Sequence, residues 1–332
     1  MKIDNLVRIV DGVLQTTPSI DAFEEMLFDS AKISRGDLFI DIKSSREAME
    51  EAIAKGAYAI LTSLDFQGND DEIAWIKVDD ISLCIIKILR FLTTQKSLSI
   101  VLATPLQASF LNAIQSEKSI KVLDTSLYYI AKELFKAREN EVFCLMDETI
   151  ISSIYPTFER IEKALHVKIK PKGLFISSFF DEEQYFHELR LPALFVNDLV
   201  GVLHFCETKN ITYSLESPLC VEHFYPQFIT NNIRKKEFGM GEKVLIFEDN
   251  ETLLKDELAY LQDQIRSEQL LLCLPQSKVI ETFFKGEIFY FNEVDECEAL
   301  KDKNFKYALI FAKKESFDTF LTRDFSTQPT LF

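Results

Sequence analysis

The feature that most constrains this chain is the recurrence of short apolar runs, rich in β-branched residues, each followed by a stretch with the spacing of an amphipathic helix. LFIDI (38–42) predicts a strand, and SSREAMEEAIAKGA after it predicts a helix with Ala48, Ala52 and Ile53 on one face and Gly56 as its stop. YAILTS and IAWIKVDD predict two more strands, and ISLCIIKILRFLTT a mostly buried helix ending near Gln95. LSIVLAT (98–104) is then a strand that runs into PLQASFLNAIQS, a helix with Pro105 in its first turn. SIKVLDTS, NEVFCLMD, KGLFISSF and ALFVND predict buried strands, separated by helices such as LYYIAKELFKARE and YPTFERIEKALHV. VLIFED (244–249), the helix NETLLKDELAYLQDQIRSE and the strands QLLLCLPQ, GEIFYFNEVD and KYALIFAKK complete the series. Strands alternating with helices make an α/β chain whose sheets are expected to be parallel. At 332 residues it exceeds what one core usually serves, so three portions are expected: 1–96, 97–240 and 241–332. The terminal STQPTLF is polar and expected to fray.

The charge is acidic and evenly spread. Ten Lys/Arg against 17 Asp/Glu in the first 95 residues give −7 of the net −16. Such a surface repels nucleic-acid phosphates and anionic membranes, so neither is an expected partner. No segment has the pattern of a signal peptide or membrane span, which predicts a cytoplasmic protein without membrane insertion. The six cysteines are widely spaced in mostly apolar contexts, as reduced buried thiols are. Only nine glycines are present, which leaves few loops of the kind that wrap phosphates.

One stretch carries a specific pattern. In FDSAKISRGDLFIDIKSSREAMEEAIAKGAYAIL, the residues Asp29, Ser30, Gly36, Asp37, Leu38, Phe39, Gly56 and Ala57 match, in order and spacing, the N-terminal substrate domain of the Mur ligases. That family builds the peptide stem of cell-wall precursors, and the chain is most similar to the subfamily that adds the terminal dipeptide. The resemblance implies a small substrate-type domain, a reduced parallel-sheet nucleotide-type domain and a small Rossmann-like C-terminal domain. It also implies that Asp29, Ser30, Lys43, Ser44 and Ser45 lie along the edge that holds the UDP end of a UDP-linked muramoyl peptide. Two departures stand out: Ala31 replaces an arginine that would supply a planar donor fork, and Lys43-Ser44-Ser45-Arg46 replaces an Asp-Gly-His turn. On residues alone, Asp29 and Ser30 equally suit a plain turn.

Where the family places its ATP loop, Gly-x-Asn-Gly-Lys-Thr-Thr, this chain reads Ala103-Thr104-Pro105-Leu106-Gln107-Ala108-Ser109. Glycines that let backbone N–H groups converge, the lysine that neutralises phosphate and a hydroxyl for Mg²⁺ are missing together, and Pro105 removes a backbone donor. An ordinary strand–helix connection is the expectation for this stretch. Further on, GEKVLIFEDNETLLKDELAYL has the shape of the family's C-terminal-domain opening, but Asp249-Asn250-Glu251-Thr252 lacks the usual Asn-Pro. The resemblance is clear over 1–95, thinner over 96–120 and weak beyond, and the chain is short for a complete ligase.

These readings predict a catalytically inactive Mur-ligase-like protein of peptidoglycan precursor synthesis, without a cofactor, that binds a UDP-linked muramoyl peptide or scaffolds a cell-wall synthesis protein. The alternative is an active ligase of the D-alanyl-D-alanine-adding type, using ATP and Mg²⁺. A third reading, a zinc-supported interaction protein, rests on His204, Cys206, Cys220 and His223, since residues two apart on a strand face the same way. His187 among Asp181, Glu182, Glu183 and Glu188 suggests acid–base work or an Mg²⁺ site and is explained equally by a solvated helix face, and Arg234-Lys235-Lys236 is expected to be a surface turn.

Overall fold

The computed structural model describes residues 1–65, 71–116, 120–123, 126–182, 184–215, 219, 221–278 and 284–322. The chain divides into two compact units, one of residues 1–108 and 118–161, the other of 109–117 and 162–332. The polar tail 326–332 lies outside the described residues.

The first unit holds two sheets over one continuous core. In the first, Ala74–Lys77, Ala59–Thr62, Leu38–Ile40 and Met26–Leu27 run parallel in that spatial order, with Val13–Leu14 antiparallel at the edge. The helix Arg46–Ala54 stops because Gly56, at φ +93°, turns the chain back and donates its N–H to the Ile53 carbonyl at 2.9 Å. The second sheet is wholly parallel, in the order Glu159–Arg160, Ser99–Leu102, Val142–Leu145 and Lys121–Val122. Between the sheets in sequence lies the helix Ile81–Gln95, capped by Asp80 and apolar on the face of Cys84, Ile85, Ile88, Leu89 and Leu92. That face joins a single buried cluster running from Ile3 to Ile154.

The second unit contains a five-stranded sheet in the order Tyr225–Ile229, Lys243–Glu248, Tyr307–Phe311, Leu270–Pro275 and Glu287–Phe291, all parallel except the first. It also has a three-stranded antiparallel sheet of Lys168–Pro171, Ser177–Asp181 and Gln184–Leu189. Its most enclosed helix is Val196–Thr208, where Gly201 lies so close to the Glu162 carbonyl that a Cβ would come within 2.0 Å of the oxygen.

Three expectations are corrected. ALFVND is not a strand but a 3₁₀ turn, Ala193–Phe195, running into Val196–Thr208; a fully buried helix shows the same unbroken apolar run as a strand. The segment 155–167 is not a helix: its only regular element is the two-residue strand Glu159–Arg160, the preceding helix Glu148–Ile154 ending just before Pro156. The residues around His187 form a β-hairpin, with His187 exposed on Gln184–Leu189. Within the strand SIKVLDTS, Lys121–Val122 is observed, and part of the segment lies outside the described residues.

Candidate functional site

At the carboxyl end of the strand Ser99–Leu102, where α/β sheets place ligands, Thr104 opens the helix Pro105–Ala113. Thr104 and Gln107 cap each other. The Gln107 N–H donates to the Thr104 hydroxyl at 3.2 Å, and the Thr104 N–H donates to the Gln107 side-chain oxygen at 3.0 Å. This is the reciprocal capping box of the Thr-x-x-Gln signature, with Pro105 at the first helical position. The Gln107 amide nitrogen also donates to the Ile161 carbonyl at 3.1 Å, tying the helix start to the neighbouring strand's end, and Gln107 is only 1% exposed. Ala103, Leu106 and Ala108 are buried, Pro105 is half-buried and Thr104 is exposed. Of the donors at this helix start, Pro105 has none to offer, and the N–H groups of Thr104, Gln107 and Ala108 are engaged by the chain itself. The next helix start along this sheet edge is closed similarly, because the Asp147 carboxylate accepts from the N–H groups of Thr149 and Ile150 at 2.8 and 3.0 Å.

In the first sheet, Asp29 and Ser30 form a turn anchored to the far half of the helix Arg46–Ala54. The Asp29 carboxylate accepts from the Ala31 N–H at 3.1 Å and pairs with Lys32 at 3.2 Å, while the Ser30 hydroxyl donates to Glu51 at 2.6 Å. Lys43, Ser44 and Ser45 stand at that helix's start, six residues or about 9 Å along the axis from Glu51. Ser45 accepts from the Ala48 N–H at 3.3 Å as the cap. Ser44 adopts φ +52° and shares a hydrogen bond with Ser63 at 2.8 Å, and Lys43 is exposed. The organiser of this turn is Asp41, 1% exposed, which accepts from the N–H groups of Lys43 and Ser45 and from the Thr62 hydroxyl. The five residues thus occupy the two ends of one helix.

The histidine and cysteine set divides differently. His204 and Cys206 lie on the helix Val196–Thr208, where residues two apart point about 200° away from each other, so the strand geometry that would align them is absent. His204 bonds to Asp181 at 2.8 Å, Cys206 is buried, and Cys220 lies outside the described residues. The five described cysteines are buried free thiols; desolvation pushes Cys84 and Cys206 up to about 11 and Cys144 up to about 12.

His223 belongs to a group that spacing did not reveal. Its Nδ1 lies 2.9 and 3.1 Å from the two oxygens of the fully buried Glu248 carboxylate, which also accepts from the Asn250 N–H at 2.7 Å and the Phe224 N–H at 3.3 Å. Behind Glu248 stands Glu257, on the helix Glu251–Gln264, with no donor reaching either buried oxygen. Desolvation, and then the charge of Glu248, push the Glu257 carboxyl well above its ordinary range and favour its protonated form. Burial raises Glu248, but the His223 bond and the Asn250 N–H counter it, and the carboxyl titrates below its usual value. Burial likewise disfavours charge on His223, and the Glu248 bond reverses it, so the imidazole titrates above its ordinary value. The signal in sequence was a glutamate at 257 on the apolar stripe of Leu254, Leu258 and Leu261. Ligand atoms of His223, Glu248 and Asp249 lie within 4.8 Å of one another, but the Glu248 oxygens already accept from three donors, His223, Phe224 and Asn250, as expected of a satisfied carboxylate rather than an open metal ligand.

No protein-family model matches the sequence, and no curated protein matches it. Solved structures do. MurF from Acinetobacter baumannii is 12% identical, with a TM-score of 0.51 over 93% of this chain and 89% of that one. The MurF ligase from Thermotoga maritima in complex with ADP is 10% identical, with a TM-score of 0.57 over 90% of this chain and 96% of that one. The UDP-N-acetylmuramoylalanyl-D-glutamyl-2,6-diaminopimelate–D-alanyl-D-alanyl ligase from Acinetobacter baumannii gives 11% and 0.50. The chain therefore has the multi-domain α/β fold of the Mur ligases, diverged far in sequence. Among the described residues no helix is long and apolar enough to cross a membrane.

Proposed function

We propose that this is a Mur-ligase-fold protein of cytoplasmic peptidoglycan precursor synthesis that does not turn over ATP and serves as a binder of UDP-linked muramoyl peptide or as a scaffold for a cell-wall synthesis protein. The observation that carries the reading is the helix start at Thr104. A catalytic loop must present unsatisfied donors and a cation to a triphosphate; here Thr104 and Gln107 satisfy each other, Gln107 is buried against the Ile161 carbonyl, and proline stands at the first position. Rebuilding an ATP site would require breaking that cap before any ligand contact formed.

The binding half of the reading rests on the first sheet. Lys43 is exposed at a helix start, beside the hydroxyls of Ser44 and Ser45, a place where an anionic ligand meets both a cation and the positive end of the helix dipole. The fold supports the class of ligand, because the solved neighbours named as MurF and as a UDP-N-acetylmuramoyl-peptide ligase share it. The test is the thermal midpoint of the purified chain with UDP, UDP-linked muramoyl tripeptide or pentapeptide. A saturable rise lost in Lys43→Ala supports a binder. No rise with any of the three leaves only the scaffold role, and co-purification lacking every cell-wall synthesis enzyme would remove that as well.

A further inference from the structure

The second unit holds a cavity of about 320 Å³ whose floor and walls are aromatic. Phe175 is its hub, with ring centroids 5.7 Å from Phe224, 5.9 Å from Phe228 and 6.5 Å from Phe238. An enclosed apolar space of about 150 Å³ takes one benzene, so this one has room for two fused rings or an equivalent aliphatic chain. The rim is different in character. Arg190, Lys235 and Lys236 are exposed at its edge, with Glu237 the one carboxylate among the lining residues. The Arg190 guanidinium stacks over the Phe238 ring at 4.5 Å, and among the described residues none of the three cations has a carboxylate within ion-pair distance. In a chain of net charge −16, three cations around an apolar mouth form a local positive edge that favours an anion.

His223 adds a fourth donor when its ring is protonated, since Nδ1 keeps its hydrogen on Glu248. It lines the same cavity, its Nδ1 is held by Glu248, and its Nε2 has no hydrogen-bond partner among the described residues. The ring is thus fixed in orientation by a buried carboxylate, with one nitrogen left for a ligand. We infer that this cavity is a binding site for a small apolar carboxylic acid, with an aromatic or aliphatic body against Phe175, Phe224 and Phe238 and its carboxylate received by Arg190, Lys235, Lys236 and His223. Arg234-Lys235-Lys236 lies in an exposed turn, as expected, and Lys235 and Lys236 are the two of its residues that reach the cavity's edge. Carboxylate recognition follows from the planar fork of Arg190 together with two flexible ammonium groups.

Isothermal titration of the full chain with naphthalene-2-carboxylate and with the neutral naphthalene-2-carboxamide tests this. The carboxylate binds saturably at one site and the amide about tenfold more weakly, the loss expected when charge-assisted hydrogen bonds are replaced by neutral ones. Arg190→Gln combined with K235Q and K236Q weakens the carboxylate at least as much and leaves the amide unchanged, while the distant exposed Lys301→Gln changes neither. Equal binding of acid and amide, absence of saturable heat from both, or a triple variant that binds like the parent overturns the proposal. Because the acid–amide comparison uses the unaltered protein, misfolding of a variant does not shelter the idea. The cavity lies wholly within the second unit, whereas the UDP-ligand reading rests on first-unit residues, so each fails without the other.

Discussion

Replacing Gln107 by leucine keeps the side chain's bulk and removes both of its hydrogen-bonding functions. The Thr104 N–H loses its acceptor, but Thr104 is exposed and water replaces the bond, so that loss costs a few tenths of a kcal/mol at most. The Ile161 carbonyl loses the Gln107 donor at a site where Gln107 is 1% exposed, and an orphaned buried acceptor costs about 1–3 kcal/mol. About 2 kcal/mol of destabilisation is therefore expected. With a urea dependence of about 2 kcal/mol per molar, the unfolding midpoint falls by about 1 M. Trp75, the only tryptophan, sits buried in the same unit and reports the transition by fluorescence. Thr104→Ala removes the partner bond to the Gln107 N–H and costs about 1 kcal/mol. The double variant loses less than the sum, because the two bonds close one reciprocal cap. A Gln107→Leu midpoint within about 0.5 kcal/mol of the parent, the range of an ordinary surface change, would refute the capped-helix account.

Other consequences follow from the buried groups of the second unit. The raised His223 value makes its contribution complete below pH 6.5 and lost as pH climbs through the folded value; Glu248, lowered, contributes above pH 4.5 and fails below it. Glu257 keeps its proton when folded and sheds it when unfolded, so it too erodes stability as pH rises above 4.5, and Glu257→Gln should gain on the parent increasingly from about pH 5 to about pH 8 in urea midpoints; a pH-independent difference would contradict the protonated assignment. Lys243 is buried and donates to the carbonyls of Leu300 and Lys303 at 3.2 and 2.8 Å, with Nζ 4.4 Å from the Phe305 ring, so Lys243→Met is expected to cost about 2–3 kcal/mol by chemical denaturation. Gly201→Ala places a methyl 2.0 Å from the Glu162 carbonyl oxygen, and a loss of about 3 kcal/mol or failure to fold is expected in thermal unfolding.

The first unit up to Ile154 was largely legible in sequence because its periodicities are clear. The helix Ile81–Gln95 ends at the residue expected, since the apolar spacing persists to Leu92 and then gives way. Gly56 was readable as a stop because an αL position after a helix selects glycine. Ambiguity entered where burial is complete: Val196–Thr208 is enclosed on nearly every side, which erases the period that separates helix from strand. In the candidate site, residues 103–109 offer no glycine and no lysine, which is legible from residue types alone. The capping box is also written there, as Thr104 followed three residues later by Gln107, beside the Pro105 that marks the helix start. The His223–Glu248–Glu257 group and the aromatic cavity join residues many positions apart through sheet pairing and helix packing, and no local spacing encodes them. Identity of 12% and 10% to the solved MurF structures, beside agreement in fold over about 90% of the chain, shows that the fold persists where the sequence has diverged.

The most direct test of the central claim is phosphate release by the purified chain supplied with Mg-ATP, UDP-linked muramoyl tripeptide and D-alanyl-D-alanine. The capped helix start at Thr104 predicts no release above buffer and no amide product, with the thermal midpoint unmoved by Mg-ATP alone. Sustained release that depends on both the precursor and the dipeptide would contradict it and return the chain to the working ligases.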